Sequence, residues 1–295
     1  IPRTNRGIFA INELPDLAEK VQVGLFNVME EKDIQIKGYK IRLPLDICIV
    51  ATANPEDYTN RGRIITPLKD RFQAQIATHY PKTRDVEILI MEQEADVPEI
   101  DGCTYSVPPF IKEIVAEISF QARTSPDINQ RSGVSVRTTI ANYESVIAAS
   151  GKRAIRLGER VVSPRITDFP SMISSTTGKI ELEYLGEDVS ETGVVDKLIK
   201  RAVKTVFDSY FPSLDVMADL VKSFEKGYVE VADYMHSEEY MTGLGEVPGL
   251  RKCVESLGAG DSPAEIASAV EFTLEGLHLS NKLNKENVGG KMVYK

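Results

Sequence analysis

No stretch of the 295 residues approaches about 18 consecutive apolar positions, and no basic segment leads into an apolar one at the N-terminus. Neither a membrane span nor a secretory signal is therefore expected. Cysteine is scarce. Cys48, Cys103 and Cys253 stand far apart, form no Cys-x-x-Cys pair and build no disulfide framework, which fits a reducing, cytoplasmic compartment. The three histidines, His79, His236 and His278, are isolated, and none sits at metal-ligand spacing from a second His or Cys. Positive charge is in deficit: 35 Lys and Arg against 44 Asp and Glu leave a net charge of −9. Nucleic acid held by general electrostatics is thus an unexpected partner. A Gly-x-x-x-x-Gly-Lys-Ser/Thr loop, which would cradle phosphates, is missing from all 295 residues. The chain does not begin with Met and reads as a piece of a longer protein.

What is present is an ordinary globular composition, 42% apolar and 27% charged, with length enough for two domains. Gly7 to Asn12 and Ile47 to Ala53 are near-continuous apolar runs rich in β-branched residues, the pattern of parallel strands buried on both faces. Between them, Asp16 and Glu19 form a capping pair for a helix whose Leu17, Val21, Leu25 and Val28 recur at helical spacing. Asp33 to Ile36 and Ile41 to Leu43 alternate around Lys37-Gly-Tyr-Lys40, a β-hairpin turning at glycine. A third short strand is expected at Ala74 to Thr78, ending before Pro81.

From Thr83 to about Phe169 the periodicity is helical, in Val86-Leu89-Ile90, in Ile111-Ile114-Val115-Ile118 and in Ile140-Val146-Ile147. Lys179 to Tyr184 alternates like a strand, and Val194-Leu198-Ile199-Ala202-Val203-Val206-Phe207 marks one amphipathic helix. Ser262-Pro-Ala-Glu265 reads as a capping box for a last helix running to about Lys285. Gly243 to Gly260 reads as a loop with at most one short helix. The expected organisation is a parallel α/β part over 1–81, an all-α part over 82–170 and a mainly helical region over 171–295.

The candidate chemistry sits at strand ends. Polar groups at the carboxyl ends of parallel strands are placed to meet phosphates, water and magnesium in nucleotide hydrolases. Glu13, ending the first strand, is suited to polarise an attacking water, and Asn12 before it could accept from a magnesium-bound water without offsetting the ion's charge. Asn54, in Ala-Thr-Ala-Asn-Pro, can donate to a γ-phosphate and accept from water at once. Each motif has a plainer use. An Asn-Glu pair can leave a buried strand for solvent, and Asn-Pro is a common turn.

Taken together, Gly7-Ile-Phe-Ala-Ile-Asn-Glu-Leu-Pro-Asp16, the helix ending Asn27-Val-Met-Glu-Glu31, the hairpin, Val50-Ala-Thr-Ala-Asn-Pro55 and Leu68-Lys-Asp-Arg-Phe72 resemble the AAA+ ATPases. Within them they resemble the branch of the MoxR proteins and the ATPase subunit of magnesium chelatase. The resemblance extends to about residue 170. It implies a partial P-loop (AAA+) parallel sheet followed by an all-α helical lid, acting with ATP and Mg2+ in a ring of subunits, expected to be a hexamer, that remodels or assists an unidentified protein partner. By position, Glu13 corresponds to the catalytic glutamate of the Walker B strand and Asn12 to its magnesium-associated Asp, where this chain departs from the pattern. Asn54 corresponds to the first sensor and Arg71 to the arginine finger that reaches a neighbour's nucleotide. Arg137, in Gly-Val-Ser-Val-Arg, corresponds to the second sensor, with Arg131 as an alternative. The hairpin corresponds to the insert before the first sensor, with Tyr39 at its tip, and Arg61 and Arg63 add positive charge near the expected subunit boundary. A reading of another class is a regulatory or scaffold protein that keeps the fold and has lost hydrolysis.

Overall fold

The structure, a computed structural model, describes residues 1–35, 42–54, 63–130, 132–183, 190–213, 217–225, 227–247, 249–260 and 262–295. The chain is mixed α/β and divides into two compact units, Ile1–His79 and Tyr80–Lys295.

In the first unit, β1 (Ile8–Ile11) leads through a 3₁₀ turn at Leu14–Asp16 into α1 (Glu19–Glu30). β2 (Asp33–Gln35) and β3 (Arg42–Pro44) follow and pair antiparallel, then β4 (Cys48–Ala51) and the short α2 (Thr66–Lys69). β1 and β4 pair in parallel, Ile8 opposite Cys48 and Ile11 opposite Ala51. Their inward side chains join Leu14, Leu25 and Leu68 in a small core. Gln22, almost fully buried on α1, makes the polar bonds that hold the 63–65 segment: its amide donates to Leu17 and Arg63 carbonyls and accepts from Ile65 N–H.

The second unit begins with α3 (Arg84–Glu94), β5 (Thr104–Tyr105), α4 (Pro109–Ala122), α5 (Val136–Leu157), β6 (Val161–Val162) and α6 (Ser171–Thr176). It continues with α7 (Glu191–Tyr210), α8 (Ala218–Ser223), β7 (Val229–Val231), α9 (Ser237–Glu246), α10 (Leu250–Ser256) and α11 (Pro263–Leu279), and closes with β8 (Lys285–Val288) and β9 (Lys291–Tyr294). One continuous core runs from Met91 to Tyr294, so the helices of 82–170 and of 171–295 pack on one another. At its centre, Phe272 of α11 stacks on Phe110 of α4 with centroids 4.5 Å apart and meets Phe207 of α7 edge-on at 5.8 Å. α11 is buried almost continuously from Ala264 to Leu277, so its polar groups need partners inside the protein. Glu271 accepts from Thr167 N–H at 2.8 Å and from the Tyr240 hydroxyl at 2.6 Å, and Glu275 accepts from Lys285 at 2.7 Å and from Tyr294.

Beside it lies a buried ionic group. Arg153 meets Asp168 at 2.9 Å and Glu159 at 3.4 Å, while Arg165 bonds Glu159, the Ser237 hydroxyl and the Met235 carbonyl. These bonds pin the 235–237 segment, at the start of α9, to the end of α5. A second buried pair, Glu87 of α3 with Arg123 after α4, is bidentate at 2.6 and 2.8 Å and is joined by Thr139 of α5.

Several expectations are corrected. Ala74–Thr78 forms no strand; it is exposed, with Ile76 90% accessible, and has no ladder partner among the described residues. β1 and β4 are covered on one face only, since Ile8, Ala10, Cys48 and Val50 are exposed, so an apolar run here does not mean two buried faces. α1 is capped at Ala18 without a side-chain bond, because Asp16 is drawn into the preceding 3₁₀ turn. On α3 the buried positions are Glu87 and Met91, with Val86 and Leu89 exposed: pairing with Arg123 outweighs apolar periodicity. Lys179–Tyr184 reduces to a single bridge, Ile128 to Leu182, within the described residues. Ser262 does cap α11 by position, but no box forms; Glu265 bonds Gly260 N–H and Ser106 instead. α11 ends at Leu279, short of Lys285, and the antiparallel sheet β7-β9-β8 adds strands to the region expected to be mainly helical. The 243–260 region holds the end of α9 and all of α10, with Gly249 at φ 93° starting the latter. The hairpin tip with Tyr39, as well as Arg61 and Arg131, lies outside the described residues.

Two tests follow from this packing. A Cβ on Gly276 of α11 would lie 2.0 Å from the Phe207 ring, so Gly276→Ala should destabilise the protein by about 1–3 kcal/mol, read as a lowered urea midpoint. Burial disfavours the Glu159 carboxylate, but its bonds from Ser237 and the adjacent Arg165 and Arg153 outweigh this and hold its pKa below the ordinary value. Its stabilisation is therefore complete above the ordinary carboxylate range and is lost as pH falls through the depressed native value. Glu159→Gln should accordingly lose less stability than the parent when pH is lowered from roughly 6 to roughly 3 in urea titrations.

Candidate functional site

Parallel pairing of β1 with β4 places the carboxyl ends of both strands at one edge, and the residues leaving them are Asn12-Glu13 and Thr52-Ala53-Asn54. Thr52 organises this edge. Its N–H donates to the Ile11 carbonyl at 2.9 Å and its carbonyl accepts from Leu14 N–H at 2.9 Å. Its hydroxyl donates to the Asn12 side-chain oxygen at 2.7 Å and accepts from Glu13 N–H at 3.0 Å. One residue thus contacts four consecutive positions, 11 to 14, and uses both the donor and an acceptor site of its hydroxyl.

Held in this way, Glu13 takes φ 50° and ψ 60°, a left-handed conformation that is rare for a residue with a long side chain. Backbone strain of this kind is kept where surrounding bonds over-determine it, and it concentrates at functional positions. The Glu13 side chain is half-buried, and Asn12, Thr52 and Asn54 are exposed, so the polar edge is open to a ligand.

Arg71 belongs to the same unit but not to the same edge. Its guanidinium donates to Glu30 through Nε at 3.0 Å, pairs with that carboxylate again through a second nitrogen, and donates to the Pro67 carbonyl at 2.6 Å. It also lies 4.6 Å from the centroid of the Phe26 ring. Glu30 ends α1 whereas Glu13 precedes its start, and 12 helical residues rise about 18 Å. The structure therefore does not bring Arg71 to Glu13 within one chain. Arg63 contributes its carbonyl to Gln22. Arg137 lies in the second unit, exposed in the first turn of α5, where Ser135 caps the helix by accepting from Arg137 N–H.

Sequence reasoning overlooked Thr52, although the Ala-Thr-Ala-Asn run carried the signal. A hydroxyl two positions before the strand-end amide, opposite the first polar residue of the neighbouring strand, is in reach of both. Among the described residues no group of three or more His, Cys, Asp or Glu side chains is arranged to hold a metal. A magnesium ion that keeps its waters and takes phosphate oxygens needs only one or two protein oxygens. The Asn12 amide oxygen and the Glu13 carboxylate fit that limited role, through water. No helix among the described residues is long and apolar enough to cross a membrane. Searched against protein-family models the chain matches none, and it has no significant match among curated proteins.

If Thr52 organises this edge, Thr52→Val should cost about 1–2 kcal/mol in the unfolding of the first unit, because Glu13 N–H loses its partner. Thr52→Ser should restore most of it, measured by urea unfolding followed through amide exchange at Glu13 and Leu14.

Proposed function

We propose that this chain carries the water-positioning half of a AAA+-type ATP hydrolysis site, in the MoxR and magnesium-chelatase-like branch, working as part of a ring that acts on a protein partner. The observation that supports this reading is the shared edge of β1 and β4, where Thr52 binds Asn12 and the strained Glu13, and Asn54 leaves the end of the neighbouring strand two residues on. In it, Glu13 orients and deprotonates the attacking water, Asn54 contacts the terminal phosphate, and Arg71 leaves Glu30 to neutralise charge at a neighbouring subunit's nucleotide. Arg137 contributes from the lid. Asn12 and Glu13 would hold a magnesium ion through its waters, and the ion would supply neutralisation of phosphate charge. A phosphate-binding loop is required in addition, because backbone amides and a lysine of that type are absent from these 295 residues. The three free cysteines accord with a cytoplasmic setting.

A second reading, a ring-forming regulator without hydrolysis, is favoured by one observation. Asn12 brings no charge to the ion and its side-chain oxygen already accepts a bond from Thr52.

Residues 1–295 alone should show no ATP turnover. In a form of the protein that includes a phosphate-binding loop, Glu13→Gln should lower turnover by about 10²-fold or more while leaving ATP binding in place. Unchanged turnover in that variant would remove Glu13 from the mechanism, and ATP binding without turnover in the parent would select the regulatory reading.

A further inference from the structure

On a chain of net charge −9, α7 presents a positive stripe. Lys197, Lys200, Arg201 and Lys204 recur along its solvent side, bordering the buried face of Val194, Leu198 and Val206. Two of the four are neutralised on their own helix, Lys200 by Asp196 at 2.6 Å and Lys204 by Asp208 at 3.0 Å. Lys197 and Arg201 are exposed and form no ion pair with any described residue. With Lys200 they line a cleft of about 230 Å³ that the buried Val194 and Leu198 back and that Ser125 and Asp127, in the connection from α4 to α5, also line. The Asp127 backbone is engaged: its N–H donates to the Ser125 hydroxyl and its carbonyl accepts from Glu183 N–H.

We propose that this cleft binds an acidic, extended peptide segment of a partner protein, with carboxylates at alternate positions. Charge complementarity selects an acidic partner, and spacing selects its form. Side chains at i and i+4 of a helix, here Lys197 and Arg201, stand about 5–6 Å apart. Side chains at i and i+2 of an extended chain stand about 6.6 Å apart, so two alternate carboxylates meet two cations. Asp127 distinguishes a peptide from a simple anion. A phosphate or a nucleic-acid backbone brings only acceptors and is repelled there, whereas an extended peptide can give a backbone N–H to that carboxylate. The inference does not depend on the proposed nucleotide site at the ends of β1 and β4.

The probe is a fluorescein-labelled peptide of alternating Glu and Leu, titrated with residues 1–295 and followed by anisotropy. A Lys and Leu peptide of the same length and a single-stranded oligonucleotide serve as competitors. Saturable binding below about 1 mM, weakened by added salt, is expected. Lys197→Glu with Arg201→Glu should weaken it by at least about tenfold, and Lys197→Gln with Arg201→Gln should do so to a smaller extent, with unchanged circular dichroism in both. Inorganic phosphate should compete poorly with the parent, and Asp127→Leu should weaken the peptide and make phosphate a better competitor. The proposal is overturned if the charge-reversed protein binds the peptide as well as the parent, if no saturation occurs, or if the oligonucleotide displaces the peptide at equal concentration.

Discussion

The second unit depends on a helix that has almost no outside. Because α11 is enclosed from Ala264 to Leu277, every polar atom it carries must be satisfied by the elements around it, and those bonds dictate where the neighbours sit. Glu271 fixes Thr167 and Tyr240, Glu275 fixes Lys285 and Tyr294, and Gly276 lets the Phe207 ring come against the helix. Burial pushes the Glu271 carboxyl above its ordinary pKa, although Arg165, Tyr240, Thr167 and Arg153 oppose this. The adjoining group of Arg153, Arg165, Glu159 and Asp168 carries the same requirement outward to α5 and α9. Breaking such a group is costly because it strands a buried charge, so these residues specify one arrangement more than they add net stability.

The first unit works on a different principle. Its apolar core is small, and what it positions is an edge, not an interior. Parallel pairing is the decisive feature: antiparallel strands would send Glu13 and Asn54 to opposite ends of the sheet, while parallel strands deliver both to one. Thr52 then converts proximity into geometry by bonding four successive residues and holding Glu13 in a left-handed conformation that few side chains adopt. The ion pair of Arg71 with Glu30 shows the cost of the proposed role in trans, since that guanidinium must exchange a carboxylate and an aromatic face for a phosphate.

How far the sequence could be read varied with the physical origin of each feature. The long helix through Val194 and Phe207 was legible because burial of one face writes a period into the chain, and the strands at Ile8 and Cys48 were legible as short β-branched apolar runs, although only one of their faces is covered. Where a buried charge took an apolar position, as Glu87 did, periodicity pointed to the wrong face of α3. The final hairpin was missed because Lys285–Val288 and Lys291–Tyr294 are short, and much of their outer strand is exposed. Thr52 was passed over for a related reason: its partners lie about 40 residues away, and no local pattern encodes them.

The sequence by itself determined the identity and order of the polar residues at the strand ends, the apolar faces and the excess of acid over base, because composition and local spacing encode these directly. Only the tertiary structure decided which of those residues meet. It placed Asn12, Glu13 and Thr52 together, paired Arg71 with Glu30, and left Lys197 and Arg201 without an ion pair among the described residues, beside the cleft along α7. The physical reason is that hydrogen bonds and ion pairs are short-ranged and directional, so they form between residues that the chain brings together from distant positions, where no periodicity can announce them.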